Sequence, residues 1–83
     1  MPVIIMFRSL TLAQRGVREL ERFGISASVT KAPIHTTDQG CSYCIRLSDA
    51  RLNKAMSILR DRGIGFGRVF RIGTDEEYRE VQL

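Results

Sequence analysis

The chain has 83 residues and a mass of 9.4 kDa, which is one domain with a thin core and no room for a deep substrate cleft. It is 43% hydrophobic and 27% charged with two prolines, a globular composition without low-complexity runs or internal repeats. Thirteen basic residues, eleven of them Arg, oppose nine acids, and four of those acids (Asp75, Glu76, Glu77, Glu80) fall in the last ten positions. Residues 1–73 thus hold twelve basic against five acidic groups, a surplus of seven. A basic body with an acidic tail points to an anionic partner, or to a tail that folds over its own basic face; a plain Arg-rich soluble surface is the alternative.

Val3-Ile4-Ile5-Met6-Phe7 is a short continuous apolar run, the pattern of a strand buried on both faces. It is too short for a membrane span, and no basic segment precedes it, so no signal peptide is expected and the expected compartment is the cytoplasm. Two cysteines there are expected as reduced thiols. Ser9 or Thr11 then caps a helix whose apolar stripe is Leu10, Ala13, Val17 and Leu20. Gly16 beside that stripe would allow close approach to a sheet, and Gly24 stops the helix after Phe23. Ile25 to Ala32 reads as a second strand closed by Pro33.

A polar loop of turn formers follows, from His35 to Gly40. Cys41 to Leu47 alternates, with Cys41, Tyr43, Ile45 and Leu47 on one face and Ser42, Cys44 and Arg46 on the other. Ser48 or Asp49 caps a second helix with Leu52, Ala55, Met56 and Leu59 inward. Gly63 ends it, and a glycine-rich passage leads into a fourth strand from Arg68 to Ile72. The order β-α-β-β-α-β predicts an α+β fold of ferredoxin-like plan, a four-stranded antiparallel sheet with two helices on one face. The first and third strands are expected to run parallel, bringing Gly24, Gly40, Gly63, Gly65 and Gly67 to one edge. Residues 74–83 read as an acidic C-terminal tail, a charged appendage with room for a short helix, beside a domain at 1–73.

Cys41-Ser42-Tyr43-Cys44 has C-x-x-C spacing, but strand alternation sends the two thiols to opposite faces, which weakens a redox pair. With His35 they make three metal ligands at best, so no metal is expected. Cys41 is the better nucleophile: it follows Gly40 at the mouth of a loop flanked by Lys31 and His35, with Arg22 and Arg62 at the helix ends. Cations favour a thiolate and would equally stabilise a persulfide or selenide on that sulfur. The competing reading is a buried core cysteine, which is the expected role of Cys44, the possible second thiol.

Phe7-Arg8-Ser9, Pro33, Gly40-Cys41 and Ile45-Arg46-Leu47 together resemble the selenium/sulfur carrier protein-like family of small bacterial and archaeal domains, over about residues 3–72. The family pattern continues its cysteine with glycine where this chain has Ser42, and Cys44 lies outside the pattern. The resemblance implies a chalcogen-carrying Cys41, no cofactor, no turnover of its own, and donor and acceptor proteins as partners; a homodimer stays open.

The rival is a non-enzymatic binding or dimerisation module. An RNA-binding sheet of this topology needs an aromatic run on the third strand, where only Tyr43 stands, so nucleic acid is not expected. Arg46, Arg68, Arg71 and Lys31 could still gather phosphate, and a sheet face bearing Ser28, Thr30, Ser42 and Cys44 could pack on a protein. The passage Gly63-Ile64-Gly65-Phe66-Gly67 follows a helix instead of preceding one, so it is not a nucleotide loop.

Overall fold

A computed structural model describes residues 2–33 and 42–82. Its elements are β1 (Pro2–Phe7), α1 (Leu10–Arg22), β2 (Ser28–Lys31), β3 (Tyr43–Ser48), a 3-10 turn (Asp49–Arg51), α2 (Leu52–Asp61), β4 (Val69–Ile72) and β5 (Tyr78–Glu80). The fold is α+β, two helices on a five-stranded antiparallel sheet of order β2-β3-β1-β4-β5.

The two faces of β1 explain its unbroken apolar run. Val3, Ile5 and Phe7 share one core with Ala13 and Leu20 of α1 and Ala55 and Leu59 of α2. Ile4 and Met6 point the other way, into a second cluster with Cys44 and Phe70 that contains no helix residue. Both helices therefore cover the same face. Strand β3 divides as its alternation requires, Ile45 and Leu47 joining the helix-side core and Cys44 the opposite cluster.

Ser9 starts α1, its hydroxyl accepting the Leu12 N–H at 3.1 Å. Gly16 allows the helix to sit directly on the sheet: a Cβ there would meet Ile45 Cδ1 at 2.8 Å and Phe7 Cζ at 3.3 Å. Both helices stop in the same way. Gly24 (φ 78°) donates to the Glu21 carbonyl and Ile25 to that of Leu20; Gly63 (φ 67°) donates to Arg60 and Ile64 to Leu59. These positive φ values are why glycine stands at both positions.

Three expectations need correction. The sheet has five strands instead of four, because residues within the charged appendage form strand β5 on the outer side of β4, not a helix. The 3-10 turn precedes α2, with Ser48 Oγ accepting the Ala50 N–H at 3.3 Å, so the helix itself begins three residues late. Strands β1 and β3 are antiparallel, not parallel. A crossover through α1 sets β2 alongside β1's direction, and β3 pairs antiparallel with β2, which leaves no other direction for β3. In consequence Gly24 delivers the chain to the start of β2, whereas the loop of residues 34–41 leaves from its end. Gly24 does not join that edge. Gly67 does, its N–H donating to the Met6 carbonyl at 2.7 Å.

Candidate functional site

Cys41, Gly40 and His35 lie outside the described residues, but the frame that carries them is defined. Ala32 donates to the Ser42 carbonyl at 3.0 Å and closes the base of the loop. Lys31 pairs across the sheet with Tyr43, and Tyr43 with Phe7. Beyond Phe7 come the exposed Arg8 and the cap of α1, whose first turn holds no acidic side chain. Ala32 and Ser42 therefore lie at the sheet end where α1 begins, and a helix N-terminus carries partial positive charge. Arg8 and the α1 N-terminus were not among the expected site groups. Strand direction was the missing signal: with β1 and β3 antiparallel, the residue after Phe7 falls at the same sheet end as Ser42.

The expected cations separate into two places. Lys31 is exposed at the loop end of β2. Arg22 and Arg62 meet instead around Glu19, at 3.2 Å and 3.5 Å, and the Arg62 guanidinium lies 5.4 Å from the centre of the Phe23 ring. Both arginines remain largely in solvent, with 69% and 49% of their side chains exposed.

Cys44 is fully buried. Its sulfur lies 4.0 Å from the Lys31 carbonyl oxygen, and burial pushes its thiol up to about 11, with Arg46 only partly opposing the shift. A thiol in that state is a packing group.

The arginines weighed as a phosphate patch are mostly engaged. Arg71 grips Asp49 with two hydrogen bonds, at 2.7 Å and 3.0 Å, and this holds the Asp49 carboxyl below the usual carboxylate range. Arg68 binds Glu80 at 2.7 Å and stacks 4.9 Å from the Phe70 ring centre. Phe70 itself is 6% exposed, so it offers no stacking surface for a base. Among the described residues no group of three or more His, Cys, Asp or Glu could hold a metal ion, and no helix is long and apolar enough to cross a membrane.

Residues 3–71 match the protein-family model described as "Putative Se/S carrier protein-like", and the chain belongs to that family. No curated protein and no solved structure matches it.

Proposed function

For this member of the Se/S carrier protein-like family, we propose a carrier role in which Cys41 holds sulfur or selenium and passes it to an acceptor enzyme. The observation that carries the reading is the state of the other thiol. The sequence has two cysteines, and Cys44 is sealed in the sheet with its thiol pushed up to about 11. Nucleophilic chemistry therefore falls to Cys41.

The proposed step is a sulfur transfer without net oxidation. The Cys41 thiolate attacks the outer sulfur of a donor persulfide; the donor S–S bond breaks, its thiolate leaves with the electron pair, and a new S–S bond forms on Cys41. A perselenide donor would load selenium by the same exchange. Positive charge around the loop, from Lys31, Arg8 and the start of α1, supports the anionic forms of both the thiol and its cargo. The buried Cys44 argues against a Cys41–Cys44 redox couple, since the second thiol would have to leave the core to resolve a disulfide.

Residues 1–73 supply β2, β3, β1 and β4 in that spatial order with crossovers through α1 and α2, which supports a ferredoxin-like domain; strand β5 of the acidic tail extends it. In the proposed division of labour the domain is a rigid handle and the partners perform the turnover.

Intact-mass analysis after incubation with a cysteine desulfurase and cysteine tests the proposal. A gain of one sulfur atom in the wild type and in Cys44→Ser, absent in Cys41→Ser, is the expected result. Loading that survives Cys41→Ser refutes it.

A further inference from the structure

The outer surface of α1 carries a feature that cysteine chemistry does not use. Arg15, Arg18 and Arg22 recur at i, i+3 and i+7, one stripe of the helix, and all three are exposed. The stripe ends at Phe23, which is 43% exposed, one of two large hydrophobic residues left open among those described. Arg62 reaches across from the end of α2 to lie over that ring.

Glu19 offsets one end of this ridge, binding Arg22 at 3.2 Å and Arg62 at 3.5 Å, but the acids of the helix layer are outnumbered. Residues 10–22 and 49–62 hold seven basic and four acidic side chains, and one of the four, Asp49, is taken by Arg71 from the sheet. The acids of the tail could have folded over the helices; two of them are tied elsewhere, Asp75 to Arg79 at 2.9 Å and Glu80 to Arg68. The helix layer thus keeps its positive surplus. Arginine beside an exposed aromatic ring is also the composition of protein-binding hot spots.

We propose that the Arg15–Arg18–Arg22 ridge with Phe23 is the docking surface for an acidic protein surface on the partner that loads or unloads the carrier. The apolar ring seats the contact, and the arginines steer and orient it by charge. A nucleic acid fits less well: it would gain phosphate contacts, but a single exposed ring gives no platform on which successive bases could stack. This inference rests on the carrier reading for the partner's role, yet the surface itself does not depend on Cys41.

The test uses the Cys41→Ser chain, so that binding is read apart from loading. A short fluorescent peptide alternating glutamate and leucine serves as the probe, with polyuridine of matched charge as competitor, and amide shifts map where the peptide sits. The expected outcome is a cluster of shifts along α1 from Arg15 to Phe23. Arg15→Glu and Arg18→Glu should each weaken binding roughly three- to tenfold, and Phe23→Ser should weaken it while leaving the remaining amide spectrum unchanged. Arg46→Glu, on the sheet face away from the helices, should have little effect. Shifts centred away from α1, equal sensitivity to Arg46→Glu, or tighter binding of polyuridine would overturn the proposal. Normal loading of the wild type with no peptide contact on α1 would refute the surface and leave the carrier reading standing; failed loading with α1 contact would do the reverse.

Discussion

Alkylation of the native protein should discriminate its two thiols by a wide margin. At about pH 7 a thiol with its pKa near 11 is ionised in roughly one molecule in ten thousand. An ordinary cysteine, near 8.5, is ionised in about 3%. Ionisation alone therefore separates Cys44 from an unperturbed Cys41 by roughly 300-fold, before the complete burial of Cys44 slows it further. Limiting iodoacetamide followed by digestion and mass spectrometry reads this directly. Trypsin cuts after Lys31 and Arg46, which leaves both cysteines in one peptide, so fragment ions must assign the label. The same shift has a stability signature. Burial raises the folded-state pKa of Cys44, so its contribution is full below the unfolded value, near 9.0, and is lost as pH rises toward about 11. In a Cys41→Ser background, the stability lost over that window should exceed that of the added Cys44→Ala variant by roughly 2–3 kcal/mol. Equal labelling of the two thiols, or identical alkaline profiles with and without Cys44, would refute the reasoning.

Gly16→Ala should lose about 1 kcal/mol in denaturant melts, because crowding against Ile45 and Phe7 costs about 1–3 kcal/mol while helix propensity returns about 1; a net gain would mean that the Ile45 side chain swings aside freely. Asp49→Asn should destabilise at neutral pH and converge with the wild type in acid. The Arg71 hydrogen bonds lower the folded-state pKa of Asp49, so its contribution is present above the ordinary carboxylate value and vanishes as pH falls through the folded one; a pH-independent difference would contradict this. Deleting residues 74–83 removes β5 and the Val81 N–H to Val69 carbonyl bond, and should cost roughly 2–4 kcal/mol and speed hydrogen exchange in β4. Unchanged β4 protection would show that the strand is dispensable.

Much of this architecture was readable locally. Ser9, Gly24 and Gly63 mark the helix ends by known capping chemistry, and the alternation of Cys44-Ile45-Arg46-Leu47 assigns the faces of β3. Gly16 announced close packing because a helix interior rarely spends a glycine without cause. Strand β5 was hidden because Tyr78-Arg79-Glu80 is charged, and its reason to be extended is the free edge of β4, which is not adjacent in sequence. Ile25 looked like a strand residue, yet it closes the α1 terminus, its N–H donating to the Leu20 carbonyl and its side chain buried in the helix-side core. For the candidate site, residue types around Cys41 were legible but directions were not. The expected parallel run of the first and third strands placed Arg22 with Lys31, while the observed antiparallel pairing sets Arg22 at the other end of α1 from Arg8.

The double-sided burial of β1 bears on how the chain finds its pairing. A strand with one wet face resists slippage, since a one-residue shift turns its apolar set toward water. Strand β1 offers no such resistance: Val3 to Phe7 is apolar at every position, so either register would bury equally greasy side chains. The discrimination must reside in its neighbour. Sliding β3 by one position would drive Arg46 beneath the helices and bring Ile45 out to the opposite face, a penalty that the observed alignment of Ile5 with Ile45 avoids. The central strand is thus a permissive template, and the correct alignment is chosen by β3, the strand that emerges directly from the cysteine loop.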